Sequence, residues 1–189
     1  MKSKIIIFLD SDDALVPNAI QSLRKKQSKL SKVNFFGTQR MNTKKPMFSA
    51  PKTGNYTITE YLDGTISGEF MPIVAKNVFQ KHQFEEQRFC FESLFWATVI
   101  KEYGLYVDKT ILREYSFEEQ NRVSKKLFEK KYASQRFADY EEFITRFTHD
   151  YKKAELDCAY ARICITAGFF GMLANKAPKA RTYLKQSLR

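Results

Sequence analysis

At 189 residues, 43% hydrophobic and 28% charged, the chain matches one soluble globular domain with room for a short extension. Seven Gly and five Pro exclude a collagen-like or low-complexity chain, and no run approaches the ~18 apolar residues of a membrane span. The formal net charge of +11 is unevenly placed: residues 1–50 hold ten basic and three acidic residues, 51–124 eight and eleven, and 125–189 fourteen and seven. Two basic ends, each +7, thus flank an acidic middle at −3. Such ends attract polyanions, and an anionic membrane surface is one expected partner. The clusters Arg24-Lys25-Lys26, Lys44-Lys45, Lys125-Lys126 and Lys130-Lys131 are short. No RNP, homeodomain or zinc-finger pattern accompanies them, so no nucleic acid is expected.

Lys4 to Leu9 is a continuous apolar run, too short for a helix, which reads as a strand covered on both faces. It ends in carboxylates and lacks a small-residue cleavage site, so it is not read as a signal peptide. Ala19 to Leu30 places Ala19, Ile20, Leu23 and Leu30 on one helix face, and Val33 to Phe36 reads as a second strand. Strand, helix, strand at this spacing predicts a parallel pair with a right-handed crossover. Residues 37–57, with Gly37, Pro46, Pro51 and Gly54, read as a long loop. Thr57 to Leu62 reads as a short helix. Glu69 to Ala75 reads as a strand in which Pro72 marks an edge or a bulge.

Phe91, Leu94, Phe95, Thr98 and Val99 recur at helical spacing, predicting a helix over 91–103 that stops at Gly104. Leu105–Val107 and Ile111–Tyr115 read as two strands. Past Ser124 the pattern turns helical: Lys125–Phe147, Lys153–Asn175, and Lys179–Leu188 after Pro178. The expected organisation is an α/β domain over 1–124 and a helical extension over 125–189. Cys90, Cys158 and Cys164 lack C-x-x-C spacing and read as buried thiols in a reducing compartment. His82 and His149 read as surface histidines, and Trp96 as core.

The chemistry concentrates in Asp10-Ser11-Asp12-Asp13, at the end of the first strand. Ligands of open α/β sheets bind at strand carboxyl ends. Three carboxylates within four residues repel one another, and a hard divalent cation, Mg²⁺ or Mn²⁺, relieves that repulsion. Asp10 and Asp12 are the expected metal ligands.

Phe8-Leu9-Asp10-Ser11-Asp12-Asp13-Ala14-Leu15-Val16-Pro17-Asn18-Ala19-Ile20 resembles the metal-binding segment of family 2 glycosyltransferases of the A-type fold, F-L-D-x-D-D-x-L-x-P-x-A-L. Phe84 to Trp96 is similar to their acceptor-side segment, whose Glu-Asp pair reads Glu92-Ser93 here. Tyr103-Gly104-Leu105-Tyr106-Val107, Leu112-Arg113-Glu114-Tyr115 and Asn121-Arg122-Val123-Ser124 resemble their strand pair and closing motif. The helical tail resembles those of bacterial members.

The resemblance implies a partial, Rossmann-like mixed sheet followed by a helical extension. It implies transfer of a sugar from a nucleotide-sugar donor to a glycan or lipid-linked acceptor. In the family the metal motif lies mid-domain, after units that hold the nucleotide base. Beginning at residue 10, this chain is expected to be truncated, weak or inactive alone, and either a homodimer or paired with an N-terminal partner. Glu92 is the implied catalytic base, since the usual position is Ser93. Asp10, Ser11, Asp13 and Arg122 are the implied donor contacts. The implied location is cytoplasmic, peripheral at the inner face of the membrane. Two other readings stand beside this one. Asp10 to Leu15 also fits the first motif of haloacid-dehalogenase-like phosphatases, with Thr38 as their second. A non-catalytic binding remnant is the other.

Overall fold

The computed structural model describes residues 4–84, 92–116 and 129–188. Contacts divide the chain into two compact units, one formed by residues 1–86 and 95–120, the other by 87–94 and 121–189. The first unit is a mixed sheet with helices on both faces. Its strands are β1 (Ile5–Ile7), β2 (Ala14–Leu15), β3 (Val33–Arg40), β5 (Gly54–Tyr56), β7 (Phe70–Ala75) and β8 (Leu105–Tyr115). The order is β1-β7-β3-β8-β2, with β5 pairing the same edge of β8 as β2. Strands β4 (Phe48–Ser49) and β6 (Ser67–Gly68) form a separate two-stranded ribbon.

Period-2 alternation divides the apolar residues between two faces. Val33, Phe35, Phe70, Val74, Leu105 and Val107 pack on one side with Phe95, Trp96, Val99 and Ile100 of α4 (Glu92–Tyr103) and Val78 of α3 (Lys76–Lys81). Phe36, Met71, Ile73 and Leu112 pack on the other with Ala19 and Leu23 of α1 (Ala19–Lys25). Trp96 is core, as expected, in edge-to-face contact with Phe8 and Phe35. Helix α4 ends where read: Gly104, at φ 72°, donates its N–H to Ile100 O at 2.8 Å. Phe91 and Arg122 lie outside the described residues, as does Cys90.

Several expectations are corrected. β1 and β3 run the same way but do not pair, because β7 lies between them, antiparallel to both. β1 is therefore an edge strand. Its two faces do pack against the two cores, but its side chains stay half-buried. Pro72 is not at an edge: β7 is interior. Its carbonyl accepts from Phe8 N at 3.1 Å, so its missing N–H faces the side where β1 has already ended, and no bond to β3 is lost. Residues 37–57 are not one loop, since β3 runs to Arg40 and β4 and β5 follow. Two- and three-residue strands carry no readable period. The two strands read over 105–115 are one, interrupted by an irregularity.

Helix α2 (Ile58–Leu62) begins with a capping box: Thr57 accepts from Glu60 N while the Glu60 carboxylate accepts from Thr57 N. The second unit holds α5 (Ala133–Lys153), α6 (Asp157–Leu173) and α7 (Ala177–Gln186). Phe137 and Phe170 fill one core, and Ile144, Cys164 and Ala167 another. Cys164 is buried, but Cys158 is exposed on α6, contrary to expectation. His149 is exposed, and His82 pairs with Glu102 at 2.8 Å.

Candidate functional site

The chain leaves the sheet at β1 and rejoins it at the opposite edge in β2, so residues 8–13 bridge the two edges. Asp13 N donates to Asp10 O at 3.1 Å, closing the acidic segment into a turn. β2 then registers Ala14 with Glu114 and Leu15 with Arg113, and Val16 N donates to Leu112 O at 3.0 Å. The same strand anchors the side chain of Asp13, whose Oδ1 accepts from Ser116 N at 3.0 Å.

Arg113 is the cation of the cluster. It is 3% exposed. Its Nε donates to Thr38 Oγ1 at 3.1 Å, and its Nη2 meets Glu69 Oε2 at 3.3 Å. Its Nη1 lies 3.3 Å from Asp13 Oδ2 and 3.5 Å from Asp10 Oδ2. The guanidinium also packs over the Tyr115 ring. The irregular register between β3 and β8 aims it there: Phe36 faces Asp108, Gly37 faces Ile111, and Thr38 faces Arg113. Three extra residues on β8, Lys109 and Thr110 at the first step and Leu112 at the second, bend the strand at that point. Asp108 holds the bend, accepting from Thr110 N at 2.9 Å and from Lys26 Nζ at 2.7 Å.

Carboxylate repulsion in the turn is thus relieved by a buried arginine. Sequence reasoning missed Arg113, Glu69 and Ser116 as parts of this site, and named Thr38 only in the phosphatase reading. One signal was readable: a lone arginine between Leu112 and the β-formers around it needs carboxylates if it is buried. Thr38, the second motif of the phosphatase reading, is fully buried and engaged by Arg113.

The expected residues divide. The side chain of Asp13 is fully buried, and its Oδ2 accepts no hydrogen bond among the described residues. Burial pushes its carboxyl above the ordinary carboxylate value, outweighing the Ser116 N–H and the Arg113 charge. Asp10 and Ser11 are exposed and Asp12 is half-buried. No group of three metal-ligating side chains forms among the described residues. The donor set suits a hard cation shared with phosphate oxygens, because Mg²⁺ commonly takes only one or two carboxylates. Glu92 is exposed at the start of α4.

No protein-family model matches the chain. Over 186 residues it is 25% identical to a GalNAc(5)-diNAcBac-PP-undecaprenol beta-1,3-glucosyltransferase of Campylobacter jejuni subsp. jejuni serotype O:2. The match covers 95% of this chain and 58% of that protein. The chain is glycosyltransferase-like. Because this likeness runs from the acidic turn through the helical unit, it favours glycosyl transfer over the phosphatase reading. Among the described residues no helix is long and apolar enough to cross a membrane.

Proposed function

We propose that this chain carries the metal motif and acceptor side of a family 2 glycosyltransferase, moving a sugar from a nucleotide-sugar donor to a lipid-linked glycan. The observation that carries the reading is the acidic turn, with Asp13 anchored inward while Asp10, Ser11 and Asp12 stay accessible. The likeness to an enzyme named for an undecaprenol-linked acceptor supports the acceptor class.

In this reading Asp10 and Asp12 hold Mg²⁺ or Mn²⁺, which supplies Lewis-acid stabilisation of the leaving diphosphate. Ser11, at the turn, contacts the donor. Asp13 is a positioning residue: it fixes the turn to Ser116 and Arg113 instead of touching the donor. Glu92 takes the proton from the acceptor hydroxyl, a step typically contributing 10²–10⁴ in rate. Its place in the first helical turn favours the ionised carboxylate that a base requires. Arg122 is assigned to the diphosphate.

The test is thermal shift with Mn²⁺ and a panel of nucleoside diphosphates, followed by release of nucleoside diphosphate from nucleotide sugars. The wild type should be stabilised more by Mn²⁺ and diphosphate together than by either alone, and Asp12→Ala should abolish the difference. Equal shifts in both proteins would remove Asp12 from the site. Ser93, where the family has its second acidic residue, favours a second reading as a non-catalytic binding module. Donor binding without release of nucleoside diphosphate would select it.

A further inference from the structure

We infer that the exposed face of α6, with the adjoining side of α7, docks on an anionic lipid bilayer. Ile165, Phe169 and Met172 are 51%, 46% and 47% exposed. Their spacing of four and three residues places them on one face of the helix. The buried face of α6 is committed elsewhere. Cys164 and Ala167 pack with Ile144 of α5, and Gly168 and Gly171 lie against Leu184 and Ala180 of α7. Leu188, just past α7, is 87% exposed. Large apolar side chains in such numbers on one small helical unit mark an interaction surface.

Charge decides the occupant. Arg162, itself exposed, precedes Ile165 by three residues and shares its face, whereas Lys176, past the end of α6, lies with its Nζ over the Phe137 ring of α5. On α7, Lys179 reaches Glu141 of α5. Arg181, two residues further and roughly 200° around the helix, therefore points away from α5, and it adjoins Ala180, which faces α6. The acidic residue of α6 is Asp157, two turns from Ile165. Residues 125–189, with fourteen basic and seven acidic residues, present the same positive charge to a second copy and repel it. An apolar stripe edged by arginine fits the headgroup and acyl boundary of an anionic leaflet, where long basic side chains reach phosphates while the apolar residues enter. The inference rests on residues 157–188 and goes beyond the proposed transfer reaction.

The test is sedimentation of the whole chain with phosphatidylcholine vesicles, with and without phosphatidylglycerol, over a salt series. The wild type should sediment only with phosphatidylglycerol, and less at high salt. Phe169→Ser should lower the partition coefficient about fivefold, for the half of a phenylalanine ring that is exposed. Arg181→Glu, at an exposed position, should lower it about tenfold or more. Melting followed by circular dichroism confirms that both variants fold. If Phe169→Ser misfolds, the Arg181→Glu and phosphatidylglycerol arms decide. Absence of binding, binding indifferent to phosphatidylglycerol, or folded variants that bind like the wild type would each overturn the inference. So would a concentration-dependent dimer lost in Phe169→Ser without vesicle binding, which would assign the stripe to a second copy. No donor is present in the assay, so a negative result leaves the transfer reading standing.

Discussion

Arg113→Met keeps the aliphatic stem and removes the charge that three carboxylates share. The partners differ in weight. Asp10 and Glu69 have side chains 68% and 48% exposed, so water already screens them, and together they contribute at most ~1 kcal/mol. The Asp13 side chain is fully buried, and without Arg113 it keeps, among the described residues, the Ser116 N–H. Stranding a buried charge in this way costs ~3–5 kcal/mol. For a chain of this length that lowers the melting temperature by roughly 6–20 °C. The single tryptophan, Trp96, sits in the core of the sheet unit and reports its unfolding by fluorescence in urea. The pH dependence has a definite sign. Asp13 has a raised pKa in the folded state, so its penalty is complete above that value and is relieved as pH falls through it toward the ordinary 3.8. Removing Arg113 raises the folded value further, so the variant should recover stability on acidification over a wider window than the wild type. Adding Asp13→Asn removes the stranded charge and keeps an acceptor for Ser116. The double variant should regain most of the loss. A single variant within ~1 kcal/mol of wild type, as for a surface pair, or a double variant no more stable than the single, would refute the assignment of Arg113 as the partner of Asp13.

Gly171→Ala should destabilise the helical unit although alanine favours helix by ~1 kcal/mol. The added Cβ would stand 2.8 Å from the Phe137 ring and 2.9 Å from the backbone-fixed Cβ of Ala180. Overpacking of this kind costs ~1–3 kcal/mol, readable in melting followed by circular dichroism. Asp108→Asn should cost ~1–3 kcal/mol near neutral pH, through loss of the ion pair between a buried carboxylate and the partly exposed Lys26. Burial raises the pKa of Asp108, but the Lys26 ammonium and the Thr110 N–H outweigh it, and the folded value lies below the ordinary one. Its stabilisation is present above pH 3.8 and lost as pH falls through the folded value, so the gap between variant and wild type in urea unfolding should close on acidification.

The helices were legible because their signals are local. Gly104 and Pro178 punctuate, the described part of the 91–103 pattern is helical over Glu92–Tyr103, and the 153–175 pattern needed only shortening to Asp157–Leu173. Sheet order was not legible. The chain gives the same apolar runs whether β1 pairs with β3 or with β7, and β7 comes about 70 residues after β1. The acidic turn announced itself, since three carboxylates in four residues have few uses. Its counterion did not, because Arg113 lies 100 residues from Asp13 and reaches it only through a bulge that no periodicity encodes.

Strand β8 has a consequence for the order of assembly. It pairs with β2, β3 and β5, and all three precede it by about 50 to 100 residues. Asp13 waits 103 residues for Ser116. Closing such loops is slow compared with zipping neighbouring helices. On a ribosome adding ~5–20 residues per second, the acidic segment spends several seconds as a tethered anion before its anchor exists. The helical unit, whose partners are sequence neighbours, condenses quickly once made. The acidic turn is thus synthesised long before the strand that anchors it, and it is among the last parts of the sheet unit to take its shape.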